Sequence, residues 1–154
     1  MHLMRGEIFV LENKKIFAFG GASSHDIADG ILTMDEKGNW RRIAKQWNKQ
    51  HKMYRVRDLS WWEQELPTQE EMNHGLDILY KNHYEVDYIV SHCCPRQTEI
   101  LFSDGLYKPD ILTRYFDVVA EKTKFQKWFF GHYHDNRQIM RDYILLYEQI
   151  IRIA

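Results

Sequence analysis

Histidines follow two apolar segments of the chain, and they are the residues whose type and spacing best suit metal binding. His92 follows residues 87–91, and His132 and His134 follow residues 127–130 after a single glycine. If both segments are neighbouring parallel strands, these histidines lie at the carboxyl edge of a sheet, where the sites of α/β proteins gather. In extended backbone, residues two apart point the same way, so His132 and His134 are expected to face one site. Neutral imidazole is a common metal ligand, so the pattern indicates a metal site.

A second interpretation of the same histidines needs no metal. A His-x-His pair arises by chance, and a histidine after a strand is often only a loop residue that makes a hydrogen bond. From spacing alone, both interpretations stay open.

Several further motifs accompany these histidines in a fixed order. Gly131-His132-Tyr133-His134 is similar to the Gly-His-x-His signature of calcineurin-like metallophosphoesterases, and the segment 90–95 resembles that family's upstream strand-histidine motif, which closes on a proline. The other segments that resemble the family are residues 19–26, 54–55, 60–62, 65–67, 70–71, 129–137 and 146–150. The resemblance covers nearly the whole chain except for roughly residues 27–53, which are a family-divergent insertion.

The resemblance implies a hydrolase that cleaves phosphate mono- or diesters at a two-metal centre. In that family two divalent ions (Mn, Fe or Zn), bridged by a carboxylate, hold the phosphate and activate a water molecule. Carried over by motif, His92 and His132 bind the second metal, and His134 binds the first. Arg55 and Arg96 are expected to bind the substrate phosphate, because guanidinium matches phosphate geometry; surface ion pairs explain these arginines equally well.

Other parts of the family's active site are missing from this sequence. It contains no Asp-x-His, no Gly-Asp and no Gly-Asn-His, the motifs that supply the bridging aspartate, a metal-binding asparagine and the acid histidine. No catalytic residue is therefore identifiable, and we expect a truncated domain with little or no activity alone. The alternative function is that of an inactive metal-binding or protein-interaction fragment.

The patterns of strands and helices around these residues predict an α/β fold in one domain of residues 1–154. With the family resemblance, the expected fold is a partial metallophosphoesterase-type β-sandwich with flanking helices. Residues 7–12 and 15–19 predict a hairpin, and Thr68 with Glu71 predicts a capping box. The predicted helices span residues 40–51, 68–82 and 109–121. The predicted strands span residues 87–91 and 127–130, followed by short β-segments at 138–140, 143–147 and 149–153.

Composition limits the partners. Twenty-one basic and twenty-two acidic residues give a net charge of −1, so nucleic acid is not an expected partner and the basic face of residues 40–51 is expected to be solvated. Apolar runs are too short to cross a bilayer. Adjacent Cys93 and Cys94, without a signal peptide in residues 1–11, favour a reduced, cytoplasmic protein. A sheet lacking its neighbouring segments exposes an edge, so we expect a homo-oligomer.

Overall fold

The computed structural model describes residues 4–153, which form a mixed α/β structure and confirm the predicted class. Residues 4–22 with 67–153 form one compact unit, and residues 23–66 form a second, which contains the divergent insertion. The strands are β1 (Glu7–Leu11), β2 (Lys14–Phe19), β3 (Gly30–Leu32), β4 (Tyr54–Val56), β5 (Tyr88–Ser91), β6 (Lys127–Phe130), β7 (Arg137–Gln138) and β8 (Tyr143–Leu145). The helices are α1 (Asn39–Lys49), α2 (Gln69–Lys81), α3 (Arg96–Ser103) and α4 (Ile111–Lys122).

The first unit is built on a six-stranded sheet in the order β1-β2-β5-β6-β8-β7. The four inner strands are parallel to one another, and β1 and β7 pair antiparallel at the two edges. Consequently β2, β5, β6 and β8 all end at the same edge of the sheet. This edge carries the loops that begin at His92 and Gly131.

The predicted hairpin is confirmed as the β1–β2 pair. Its two connecting residues are Glu12 and Asn13, with φ values of 48° and 62°. Two successive left-handed residues match the twist of antiparallel strands, which is why such turns dominate two-residue hairpins. The turn therefore lies one residue earlier than Asn13-Lys14.

The two faces of the sheet differ in burial. On one face, six side chains are at most 2% exposed: Phe17, Phe19, Ile89, Trp128, Phe130 and Leu145. Helix α4 covers this face, since the Phe116 ring contacts the rings of Phe19 and Trp128 at 5.6 and 5.4 Å between centroids. On the opposite face, Val90 of the central strand β5 is 38% exposed.

Helices α2 and α4 start where the sequence provides caps. The predicted capping box is confirmed, because the Thr68 hydroxyl accepts the Glu71 amide and the Glu71 carboxylate accepts the Thr68 amide. Asp110 caps α4 by accepting the Thr113 amide at 2.8 Å. Helix α3 was not predicted, and residues 149–153, expected to contain β-structure, form no strand.

The second unit pairs β3 with β4 in a parallel two-stranded sheet and places α1 beside it. The Trp47 ring of α1 packs edge-on against the Tyr54 ring of β4, with 5.2 Å between centroids. The predicted helix at residues 40–51 is thus confirmed as α1. Within residues 4–153, no helix has the length and apolarity needed to cross a membrane.

Candidate metal site

His92 and His132 meet at the carboxyl edge of the sheet. His92 directly follows β5, and His132 follows β6 after Gly131, so two adjacent parallel strands deliver the two rings. Nδ1 of His132 lies 3.2 Å from Nε2 of His92. The ring centroids are 4.9 Å apart and the ring planes are inclined by 67°. Two ring nitrogens therefore point at each other on an exposed edge.

This nitrogen–nitrogen distance suits two ligands of one metal ion. Zinc–imidazole bonds are about 2.0–2.1 Å long, so two nitrogens on one ion lie about 2.9 Å apart at a right angle and about 3.3 Å apart at the tetrahedral angle. The observed 3.2 Å falls inside that range. The same distance also allows an N–H···N hydrogen bond between two neutral imidazoles. A cation that binds here replaces that hydrogen bond.

A buried hydrogen-bond relay positions the His92 loop. The Trp128 indole N–H donates to Ser91 Oγ at 2.7 Å, and Ser91 Oγ donates to the Cys93 carbonyl at 2.6 Å. The Gly131 amide donates to the His92 carbonyl at 2.9 Å, which ties the two loops together. A Cβ at Gly131 would lie 3.4 Å from the Leu146 carbonyl oxygen and 3.9 Å from His92 Nδ1. An alanine at Gly131 would therefore be in ordinary van der Waals contact with both loops.

His132 and His134 do not lie in extended backbone. Their φ values are 71° and 52°, in the left-handed region that residues with a Cβ seldom occupy, although histidine is enriched there among them. The prediction of extended backbone at His132 and His134 is therefore wrong, and the rule that residues two apart share a side does not apply to this pair. Such conformations cost energy in non-glycine residues and persist only where surrounding contacts maintain them. They are enriched at functional sites.

Tyr133, between these two histidines, is held by a polar cluster under the loop. Its hydroxyl donates to Glu99 Oε1 at 3.2 Å, and Glu99 is only 2% exposed. The Arg96 guanidinium pairs with the same carboxylate and donates to the Tyr107 carbonyl at 2.9 Å. Burial raises the pKa of Tyr133, which keeps its hydroxyl protonated as a hydrogen-bond donor.

These contacts give Arg96 a structural role, although the sequence predicted that it binds substrate. Its side chain is 16% exposed and faces the buried carboxylate of Glu99. Removing the guanidinium from Glu99 would leave a buried charge without its cation, which is energetically costly. The recorded bonds use Nη1 of Arg96, and binding of a substrate phosphate by this arginine stays a prediction.

His134 takes a different position from the other two histidines. Its ring stacks on Tyr147, with 4.9 Å between centroids and 29° between planes. Among residues 4–153, no three His, Cys, Asp or Glu side chains are arranged to hold a metal ion together. The structure thus brings together two of the three predicted ligands, and the role of His134 stays a prediction.

Arg55, the other predicted phosphate ligand, lies in the second unit. Its guanidinium pairs with the Asp26 carboxylate, and this hydrogen bond lowers the pKa of Asp26. Both side chains are about two-fifths exposed, at 42% and 41%. The surface ion pair that was the alternative interpretation is the arrangement observed.

Several residues that shape the site were not found from the sequence. Ser91, Glu99 and Tyr133 make their contacts across long sequence separations, and no local periodicity marks them. One available signal was Glu99, an acidic residue three positions after Arg96 in the first turn of an unpredicted helix. Such spacing favours an ion pair on one helix face.

Comparison with known proteins gives no assignment. No family model, no curated protein and no solved structure matches this chain. The geometry of the histidine pair and the order of the motifs are therefore what bears on function.

Proposed function

We propose that this chain is part of a metal-dependent phosphoesterase of the calcineurin-like type, and that His92 and His132 hold one of its divalent ions. The observation that carries the proposal is the 3.2 Å separation of their facing ring nitrogens at the carboxyl edge of parallel strands. The ordered motifs around both histidines support the same family. In this proposal the fold is the part of a metallophosphoesterase sandwich that contributes one sheet.

The chemistry of the two histidines sets limits on what the chain does alone. Each uncharged imidazole binds a metal through one ring nitrogen, so the pair orients an ion but neutralises none of its charge. When bound, divalent metal ions of this class polarise a phosphoryl oxygen and lower the pKa of a bound water. Neutral imidazoles do not bridge two divalent ions, and the carboxylate ligands of the family are absent from this sequence. We therefore expect weak metal binding and feeble hydrolysis of phosphodiesters.

A metal-binding module without turnover is the second candidate. It is favoured because the sequence lacks the motifs of the bridging aspartate and the acid histidine, while the ring nitrogens of His92 and His132 face each other. In both candidates His92 and His132 bind the ion. They differ only in whether phosphoester hydrolysis accompanies binding.

The test measures metal binding and hydrolysis on the same samples. Co²⁺ binding is followed by visible absorption, and hydrolysis of bis(4-nitrophenyl) phosphate is followed with Mn²⁺. His92→Ala removes one ligand at a residue whose backbone is not left-handed, and we expect its affinity for Co²⁺ to fall tenfold or more. His51→Asn is the matched control, since His51 is exposed, lies in the other unit and has a left-handed φ of 52° that asparagine tolerates.

The outcomes separate the two candidates. A low metal-dependent turnover that His92→Ala abolishes supports the phosphoesterase. Metal binding that depends on His92, with no turnover above that of free Mn²⁺, supports the binding module. Equal Co²⁺ affinity in His92→Ala and the wild-type protein contradicts both.

A further inference from the structure

Helix α1 of the second unit carries only positive charge. Between Asn39 and Lys49 it has four basic side chains and no acidic one. The four are Arg41, Arg42, Lys45 and Lys49, and all are exposed. This concentration of charge is hidden in a whole-chain net charge of −1. At physiological ionic strength screening acts over about 8 Å, so a local cluster governs what approaches it.

Ion pairs do not neutralise the charges on α1 within the part of the chain that the structure describes. Among the described residues 4–153, none of the four basic side chains of α1 forms an ion pair. Other cations of the same unit behave differently: Lys52 pairs with Asp29, Arg55 with Asp26 and Arg57 with Glu63. The unit therefore pairs its cations where carboxylates are near and leaves those of α1 facing solvent. A polyanion complements such a surface.

Part of the apolar side of α1 is engaged by β4, which leaves less of it for membrane insertion. Trp47 packs on Tyr54, and the Tyr54 hydroxyl donates to the Ala44 carbonyl at 3.1 Å. The same hydroxyl lies 2.9 Å from Asn48 Oδ1. A helix that lies in a bilayer interface buries its apolar face in the lipid. Here Trp47 of that face packs against Tyr54 of β4, while Ile43 stays 36% exposed.

The spacing of the cations suits a chain of phosphates. Arg41, Lys45 and Lys49 recur every four residues, so they share one side of the helix and rise about 6 Å from one to the next. The row is about 12 Å long, so a single strand laid along the helix can bring successive phosphates to the three cations.

An aromatic ring stands at the end of this row. Trp40 is only half-buried, and the Arg41 guanidinium lies 4.8 Å from its ring centroid. A shallow open groove runs along the helix beside them, lined by Trp40, Arg41, Ala44, Lys45, Asn48 and Lys49. Positive grooves with an aromatic platform are the means by which single strands are bound, with phosphates on the cations and bases on the rings.

From these observations we propose that α1 binds single-stranded nucleic acid. Arg41, Lys45 and Lys49 contact the phosphates, Arg42 adds to the field, and a base stacks on Trp40. The surface lies within residues 23–66 and does not depend on the histidine pair. This proposal differs from the expectation that nucleic acid is not a partner. That expectation used the net charge of the whole chain, which does not reveal the local cluster of cations on α1.

The test uses the full chain and a fluorescein-labelled oligothymidine of about twelve nucleotides, read by fluorescence anisotropy. The triple variant Arg41→Ala/Lys45→Ala/Lys49→Ala is compared with Lys81→Ala/Arg114→Ala/Lys122→Ala, which removes the same charge from exposed positions outside α1. We expect the α1 variant to bind at least tenfold more weakly, and the control to stay within twofold of wild type. The slope of log K against log salt is expected near −2 for wild type and near 0 for the α1 variant, at about −0.7 per phosphate contact.

Further arms identify the partner. Trp40→Ala is expected to weaken oligothymidine binding several-fold, while Trp40→Phe keeps most of the affinity because it keeps a ring. An equal loss of oligonucleotide affinity in both triple variants overturns the proposal, because total charge rather than its position on α1 then determines binding. Equal affinity for a polyglutamate peptide, or for phosphatidylserine vesicles that the α1 variant no longer binds, also overturns it, in favour of an acidic protein or a lipid surface. No binding to the oligonucleotide at about 50 mM salt overturns it outright.

Discussion

His132 and His134 are held in a backbone conformation that costs energy. A left-handed φ in a residue with a Cβ is disfavoured by about 1 kcal/mol or more and persists where neighbouring contacts over-determine it. The residue between them supplies such contacts, since the Tyr133 hydroxyl is bonded to the buried Glu99. The Tyr133 ring also packs against Phe102 and Tyr107, at 4.9 and 5.2 Å between centroids. Tyr133 is therefore the anchor of the histidine loop.

Replacing Tyr133 with phenylalanine tests this anchor. Tyr133→Phe keeps the ring but removes the donor to Glu99, so we expect the free energy of unfolding to fall by about 1–2 kcal/mol in urea denaturation. Tyr147→Phe is the control, because the Tyr147 side chain is 54% exposed and its ring stacking on His134 is retained. Equal effects of the two changes would show that the bond to Glu99 contributes nothing.

The buried thiol of Cys94 predicts how stability depends on alkaline pH. Burial raises the pKa of Cys94 to about 12, against about 8.5 in an unfolded chain. Between these two pKa values the Cys94 thiol is deprotonated in the unfolded state and protonated in the folded state. The free energy of unfolding is therefore highest below about pH 8.5 and falls as pH rises toward 12. One such group contributes up to about 1.4 kcal/mol per pH unit.

The measurement is denaturant unfolding at several pH values from 8 to 11. We expect the free energy of unfolding of Cys94→Ala to fall less steeply with pH than that of wild type. The two slopes should differ by the release of one proton at most. Parallel curves for the two proteins would mean that Cys94 ionises equally in both states.

Residue types at strand ends predicted that His92 and His132 meet, but not how their loops are held. The histidines follow apolar strands, which local pattern reveals, and parallel pairing then makes their ends adjacent. Glu99 and Tyr133 come into contact only because α3 packs against the loop after β6, so no spacing in the sequence indicates this contact. The buried carboxylate partner of Arg96 was not foreseen for the same reason.

At the scale of elements, prediction succeeded where a local signal was strong. The hairpin, the capping box at Thr68 and the buried strand β6 each depend on residues close in sequence. The elements that were missed, β3, β4 and α3, are short, with three, three and eight residues. β3 and β4 pair across more than twenty residues of intervening chain, so tertiary contacts rather than local propensity define them.

The cap of α2 offers a test at this scale. Thr68→Ala removes the side-chain acceptor for the Glu71 amide, and we expect the free energy of unfolding to fall by about 1 kcal/mol. Thr68→Ser keeps the hydroxyl and is expected to stay within a few tenths of a kcal/mol of wild type. Chemical denaturation of the three proteins decides, and a loss as large in serine as in alanine would count against the cap.

At the scale of the whole molecule, the sheet of the first unit has one face that is only partly covered. Val90 lies in the middle of the sheet yet is 38% exposed, and Leu11 of the edge strand is 58% exposed. Tyr88 on this face donates its hydroxyl to the Ile153 carbonyl, so the end of the described chain covers part of it. Exposed apolar surface on a central strand is unusual in a monomer.

We expect this face to support self-association as a homodimer or a larger oligomer. Light scattering at micromolar concentration should give a mass of at least twice 18.7 kDa. Val90→Glu places a charge on the face and should shift the protein toward monomer, whereas the nearly isosteric Val90→Thr should shift it less. A wild-type mass of 18.7 kDa would contradict the prediction.

Long-range ¹H–¹⁵N correlation spectra of the imidazoles show directly whether His92 and His132 share one metal ion. Zn²⁺ is added to ¹⁵N-labelled protein to one equivalent. We expect His92 Nε2 and His132 Nδ1, the atoms 3.2 Å apart, to move together to the shifts of zinc-bound nitrogens. Shifts at only one of the two rings, or at neither while zinc binds elsewhere, would contradict this expectation.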